Sequence, residues 1–249
     1  MTAPGWLTAR PIAHRGLHDR AAGVWENTLS AADAAIAAGY AIECDVQDTA
    51  DGEAVVFHDF TLDRLTPARG PVRARPAVEL EALTVGGTED RIPALSAFLD
   101  RVVGRVPLVI EIKSRFDGDL TLTRRTAALV SAYPGPVVLE SFDPAVVAAV
   151  RRLAPDIPRG VVAETSYDHP EWDGLAAPEK HALANLLHFD ETRPDFLSWR
   201  VADLPCAAPF LARRLGGVPV IAWTVRTEAD RRRAAEHADQ MVFEGFRPD

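Results

Sequence analysis

Ala41-Ile42-Glu43-Cys44-Asp45-Val46-Gln47, the turn Thr49-Ala50-Asp51-Gly52, and Ala54-Val55-Val56-Phe57-His58 form the stretch on which the reading of this chain depends. Side chains alternate between the two faces of a strand, so Glu43 and Asp45 share one face and Cys44 points to the other. The second run follows the first too closely to admit a crossover helix, and Asp51-Gly52 is a turn signal. The two runs therefore form an antiparallel hairpin. With the turn centred between Ala50 and Asp51, Glu43 pairs opposite His58 and Asp45 opposite Val56. That register sets a carboxylate beside an imidazole through backbone geometry alone.

Outward from the hairpin, the chain repeats one unit: a short run rich in Val and Ile, a loop, then an alanine-rich segment with helical spacing. This alternation implies parallel strands joined by crossover helices. The strands are expected at Pro11 to Gly16, Ala41 to Gln47, Pro107 to Lys113, Val137 to Phe142, Gly160 to Glu164, Asp195 to Trp199, Pro219 to Val225 and Gln240 to Glu244. Helices are expected from Thr28 to Ala38, closed by Gly39, from near Ala94, after Asp143-Pro144, after Ala208 and after Thr227. Eight strand candidates in this order give an α/β fold, a TIM (β/α)8 barrel, with an extra hairpin strand and an insertion loop, Asp59 to Val106, after the second barrel strand. The insertion either shapes access to the reaction face or simply covers the barrel mouth. The segment from Ser166 to Pro194 shows no legible period. The same alternation puts Glu111 and Lys113 on one face near their strand's C-terminal end, the end at which such barrels carry their chemistry.

At 249 residues, with no linker-like stretch, a single domain over 1–249 is expected. The net charge of −9 argues against nucleic acid and anionic membrane surfaces as partners. Two cysteines, Cys44 and Cys206, make neither a disulfide framework nor a structural zinc site. Met1 to Arg10 lacks the pattern of a secretory leader and no run of 18 apolar residues occurs, so the expected address is the cytoplasm, without stable membrane insertion. Oligomeric state leaves no signal.

His14 in Ala13-His14-Arg15-Gly16, the carboxylates Glu43 and Asp45, and His58 together supply two imidazoles for proton transfer, hard oxygen ligands for a divalent cation, and an arginine for an anion. Cleavage of a phosphate ester needs such a set. A lone histidine at a strand end is ordinarily structural, but two within reach of a carboxylate pair are not. The bland alternative for Glu43 and Asp45 is a salt-bridge network with Arg15 and Lys113. For Lys113 it is neutralisation of excess carboxylate, and for Trp223 a place in the core. Ser141 and Asp143 read as a helix cap. His18, His169, His181, His188 and His237 read as surface or loop histidines, and Arg231-Arg232-Arg233 as a solvated helix face.

His14-Arg15-Gly16, Glu26-Asn27-Thr28, Glu43-Cys44-Asp45-Val46, Thr49 to Gly52, Val55 to Asp59, Leu62 to Thr66, Glu111-Ile112-Lys113, Ser141 to Pro144 and Trp223-Thr224-Val225 occur in an order that resembles the glycerophosphodiester phosphodiesterase family, whose barrel is shared with the phosphatidylinositol-specific phospholipases. The resemblance implies metal-dependent hydrolysis of a small glycerophosphodiester to glycerol 3-phosphate and an alcohol. It implies His14 and His58 as the acid/base pair, Glu43, Asp45 and Glu111 as ligands of a divalent cation, and Arg15 and Lys113 near the phosphate. Three carboxylates without a thiolate suit Mg²⁺ or Ca²⁺. Trp223 is a candidate to pack against the glycerol carbons. The sequence leaves open which histidine is the acid, and whether water or a glycerol hydroxyl attacks. Two positions depart from the family pattern: Trp25 stands where proline usually precedes Glu-Asn-Thr, and Phe243-Glu244-Gly245 replaces the usual Thr-Asp pair. The rival readings are a lysophospholipase D-like activity, which needs an apolar surface on the insertion, and a non-catalytic metal- or phosphate-binding barrel.

Overall fold

The computed structural model describes residues 3–248; residues 1, 2 and 249 of the expected domain, and with them the first positions of the leader reading, lie outside the described residues. Nine strands form one sheet: β1 (Ile12–Ala13), β2 (Ala41–Asp48), β3 (Ala54–Val56), β4 (Leu108–Ile112), β5 (Val137–Ser141), β6 (Arg159–Ala163), β7 (Phe196–Arg200), β8 (Val220–Val225) and β9 (Gln240–Phe243). The order β1-β9-β8-β7-β6-β5-β4-β2 closes on itself through a parallel β1–β2 pairing, and β3 hangs outside on β2, antiparallel to it. This is the expected barrel with its extra hairpin strand.

The helices follow the sequence signals closely. α1 (Leu29–Ala38) is capped by the Thr28 hydroxyl, which accepts from Ala31 N, and ends at Gly39 in the left-handed region. α2 (Ala77–Leu80) is a single short turn of the insertion. α3 (Leu95–Val102) and α4 (Thr121–Ser131) flank β4, and α5 (Pro144–Leu153) starts with Asp143 as cap and Pro144 at its first position. The illegible segment carries α6 (Ala177–Ala184) and α7 (Phe189–Thr192), and α8 (Ala207–Gly216) and α9 (Glu228–His237) complete the ring. Among the described residues no helix is long and apolar enough to cross a membrane.

The hairpin register differs from the expected one by one residue. Val46 pairs with Val56, Gln47 with Val55 and Asp48 with Ala54, so Asp45 lies opposite Phe57. The reason is the turn. Thr49 N donates to Glu53 O and Gly52 adopts φ 78°, which makes Ala50-Asp51-Gly52 a three-residue loop centred on Asp51.

Apolar surface is buried in three places. Outward-facing Ile42, Cys44, Val46, Leu108, Ile110 and Leu139 pack under the helices. Inside the barrel, Ile12, Ala41, Val109, Val138, Phe196, Ile221 and Val242 form a plug closed below by Leu7. The third cluster belongs to the insertion: Leu62, Leu65, Val72, Leu80, Val85 and Ile92 close over Val55 and Phe57 of the hairpin. Among the insertion's large apolar side chains Phe60, Val78 and Val103 are exposed, and most of the others are buried, so the insertion packs as a small lobe beside β3.

Candidate active site

The plug and the site come from one alternation. The residues two and four positions beyond the plug layer point to the same side of their strands and reach the C-terminal rim. Ile12 is followed so by His14, Ala41 by Glu43 and Asp45, Val109 by Glu111 and Lys113, Val138 by Glu140 and Phe142, Phe196 by Ser198 and Arg200, and Ile221 by Trp223. These side chains line one cavity of about 1010 Å³. All eight residues singled out from the sequence, His14, Arg15, Glu43, Asp45, His58, Glu111, Lys113 and Trp223, border it.

Glu43, Asp45 and Glu111 each offer an oxygen to a common point, the three atoms lying within 4.8 Å of one another. Three hard oxygen donors and no thiolate, with Cys44 turned into the outer core, fit a hard divalent cation. Burial, then the charges of Asp45 and Glu111, push the Glu43 carboxyl well above the usual range. Asp45 is buried too, but Lys113, His58 and Arg15 around it hold its carboxyl well below that range. The Lys113 ammonium reaches Asp45 Oδ1 and Glu111 Oε1 at 2.7 Å each, and burial is outweighed by these two charges, which raise its pKa. The salt-bridge network weighed as the bland reading is thus present alongside the ligand geometry.

Each imidazole is held at Nδ1 by a carboxylate. His14 Nδ1 lies 2.7 Å from Glu244 Oε2, with Nε2 3.9 Å from Glu43, and burial brings its pKa down to about 4 against the opposing hydrogen bond from Glu244. The Glu244 carboxyl, bonded by His14, falls to about 2. His58 Nδ1 lies 2.8 Å from Asp59 Oδ1. Asp59 in turn accepts from Arg64, whose guanidinium also grips the buried Glu26 at 2.8 and 2.9 Å, and Glu26 accepts from Arg15 at 2.7 Å. A continuous chain of charge pairs therefore ties the insertion to the β1 loop. Arg15 sits at φ 54° with its backbone N–H donating to Glu43 Oε2 at 2.8 Å, and Asn27, at φ 58°, donates to Asp45 Oδ2 at 2.8 Å. Gly16 is required here: a Cβ would lie 2.8–3.0 Å from Ala31 Cβ and backbone at a φ of +78°.

Several sequence readings need correction. Glu43 and His58 are not cross-strand partners, because the three-residue turn shifts the pairing. Ser141 does not act only with the cap: its hydroxyl donates to Ile112 O at 2.7 Å across to β4 and accepts from Asp143 N, while Asp143 alone caps α5. His188 is buried against Thr192 rather than at the surface, while His169, on a loop as expected, sits at the cavity edge with its Nε2 accepting from Arg200 at 3.0 Å. Sequence reasoning gave no role to Glu244, Glu140, Ser198, Glu164, Trp172 or Arg200, all except Glu244 part of the cavity lining. Extending the period of two from Val138 or Phe196 would have found Glu140 and Ser198. Trp172 lies on the loop whose period is hidden by Pro and Asp.

The closed (β/α)8 barrel with an acidic cluster and two carboxylate-held imidazoles at its C-terminal rim suits an enzyme acting on phosphoric diesters, and the matching family and relatives put the chain among the phosphoric diester hydrolases. Residues 14–243 match the model of the glycerophosphoryl diester phosphodiesterase family, and the chain belongs to that family. A glycerophosphodiester phosphodiesterase of Caldanaerobacter subterraneus is 31% identical over 182 residues, 69% of this chain and 73% of that relative. A solved glycerophosphodiester phosphodiesterase of Agrobacterium tumefaciens superposes with a TM-score of 0.68 at 25% identity, covering 98% of this chain and 96% of that one. An Oleispira antarctica phosphodiesterase, solved in complex with the product sn-glycerol-3-phosphate, shares the fold with a TM-score of 0.75 at 22% identity over 94% of this chain and 91% of its own.

Proposed function

We propose that the protein hydrolyses small glycerophosphodiesters to glycerol 3-phosphate and a free alcohol, with Glu43, Asp45 and Glu111 holding Mg²⁺ or Ca²⁺ and His14 and His58 moving the protons. The observation that carries this reading is the convergence of two imidazoles, each with Nδ1 taken by a carboxylate and Nε2 left over, on a rim that also bears three convergent carboxylate oxygens. When bound, the cation supplies charge neutralisation and polarisation of the phosphate. Arg15 and Lys113 add fixed positive charge at the same rim, where an anionic diester must be held before attack. One imidazole takes a proton from the attacking hydroxyl and the other gives one to the departing alkoxide, each worth about 10²- to 10⁴-fold. Trp223 gives the substrate carbons a flat apolar contact. The buried aliphatic residues of the insertion weigh against a lipid-docking enzyme.

The test is turnover of glycerophosphodiesters and of a chromogenic phosphodiester with Mg²⁺ or Ca²⁺, before and after a chelator, in the wild type, His14→Ala and His58→Ala. The chelator is expected to abolish turnover and either substitution to lower the rate by at least about 10²-fold with the fold intact. A wild type that turns over none of these diesters, with or without metal, would favour the non-catalytic barrel instead.

A further inference from the structure

Arg64 joins the insertion to the site, although it does not itself line the cavity. It stands between Leu62 and Leu65, both buried in the insertion's own core, on a turn tied by Leu62 N donating to Gly70 O at 3.0 Å and Gly86 N donating to Leu65 O at 2.7 Å. Its guanidinium works along two edges. Nε and Nη2 donate to the two oxygens of Asp59 at 2.7 and 2.8 Å, and Nη1 and Nη2 donate to the two oxygens of Glu26 at 2.9 and 2.8 Å. A planar fork of five donors can grip two carboxylates in this way, whereas a lysine ammonium offers only a point charge. The two carboxylates are unequal. Glu26 is 3% exposed and also accepts from Arg15 at 2.7 Å and Arg20 at 3.0 Å, which makes it the fixed end, while Asp59 is 21% exposed.

His58 is the end that needs holding. Its backbone is set by buried Gln47, whose Nε2 donates to His58 O at 2.8 Å, but its ring is 32% exposed and is oriented by Nδ1 donating to Asp59 Oδ1 at 2.8 Å. A half-open pair of neighbouring side chains holds a ring weakly by itself, because water screens it and two sets of rotamers must be frozen. It orients the ring only if Asp59 cannot swing away, and the Arg64 fork on both Asp59 oxygens prevents that. We infer that Arg64 and Glu26 are positioning residues for His58: acting through Asp59, they keep its hydrogen on Nδ1 and its Nε2 lone pair toward the cavity, so that the insertion is a brace for an imidazole as well as a cover for the hairpin. The kinetic consequence rests on the diester-hydrolysis reading above, with His58 as one of the two proton carriers.

The experiment is a double-mutant cycle read as kcat and KM for a glycerophosphodiester in the wild type, Arg64→Ala, His58→Ala and the double variant. Arg64→Ala is expected to lower kcat by about 10- to 100-fold with KM within about threefold, since a proton carrier acts in the transition state. In the His58→Ala background the same change should lower kcat by less than about twofold, because the ring it supports is gone. A full repeat of the loss in that background, or a rise in KM alone, overturns the proposal; a residue that merely fastens the insertion gives the first and one that binds the phosphate the second. The imidazole nitrogen NMR spectrum at about pH 8, with the His58 signals identified by their absence in His58→Ala, reads the brace without any turnover. The wild type is expected to hold the hydrogen of His58 on Nδ1 and Arg64→Ala to show a mixture of both tautomers, and Glu26→Gln, read the same way, serves if Arg64→Ala does not fold. A mixture in the wild type, or a variant spectrum identical to the wild type, sinks the proposal. A wild type with the hydrogen on Nδ1 and a mixed variant, but no turnover of any diester, supports the brace and counts against the hydrolase reading alone.

Discussion

The imidazole of His14 is buried, loses basicity to about 4 through that burial, and keeps one compensating contact, the 2.7 Å bond to Glu244. That bond fixes the ring's tautomer, since a carboxylate can only accept, so Nδ1 carries the hydrogen and Nε2 carries the lone pair. Glu244 is thus a positioning residue, and its removal should act on kcat. Glu244→Ala is expected to lower kcat by about 10- to 100-fold with little change in KM, and Glu244→Gln, whose amide oxygen can still accept from Nδ1, to recover part of the loss. Steady-state kinetics on the preferred diester checks this; equal rates in the Ala variant and the wild type would leave the bond without a role. The sequence marked Glu244 only as a departure from a Thr-Asp pattern: the expected barrel implies that its last strand adjoins its first, but not which side chain at the end of β9 meets His14. His14 and Glu244 are separated by 230 positions and meet only through barrel closure.

Local periodicity carried most of the elements. Alternation along β2 and β4 placed Glu43, Asp45, Glu111 and Lys113 correctly, since a period of two needs no knowledge of neighbours. The hairpin register failed by one residue because the choice between a two-residue and a three-residue loop depends on Gly52 taking a positive φ, which Asp51-Gly52 permits without dictating. The insertion looked like a loop because its apolar residues follow no helical or strand period; they are organised by packing on Val55 and Phe57. One contact there is tight. A Cβ on Gly86, which has φ +63°, would come 2.0–2.3 Å from the Trp25 ring, so Trp25, the other departure from the family pattern, is seated against bare backbone. Gly86→Ala is expected to cost about 2–3 kcal/mol, from overpacking together with the positive φ, and to lower Tm by about 4–10 °C. In a Trp25→Ala background the same substitution should cost only the backbone part, about 1 kcal/mol. Thermal melts of the four proteins check it, and additive costs would remove the Trp25 contact as the cause.

Across the whole molecule, acid and metal should act on stability in opposing ways. His14, depressed to about 4, is neutral in the fold, so between about pH 6.5 and 4 the unfolded chain binds the extra proton and stability falls as pH falls. Glu26 and Asp59, held down against their burial by arginine and histidine partners, and Glu244, at about 2, contribute stability that is present above about pH 4 to 4.5 and lost below it. Glu43 and Glu140 run the other way. Burial and neighbouring carboxylates raise them, so the fold retains protons that the unfolded chain releases, and their cost appears as pH rises above about 4.5. A divalent cation at Glu43, Asp45 and Glu111 competes with the Glu43 proton and removes that cost, and it does so against a net charge of −9. Stabilisation by Mg²⁺ or Ca²⁺ should therefore grow from pH 5 to pH 8. At about 100 times Kd it amounts to about 2.7 kcal/mol, or about 5–10 °C in Tm, at the upper end of that range. Melts at pH 5, 6.5 and 8, with and without the ion, measure it in the wild type and in Glu43→Gln. The Gln variant should show a smaller and flatter increment, because it has no proton for the ion to displace. An increment independent of pH in the wild type would take Glu43 out of the ligand set.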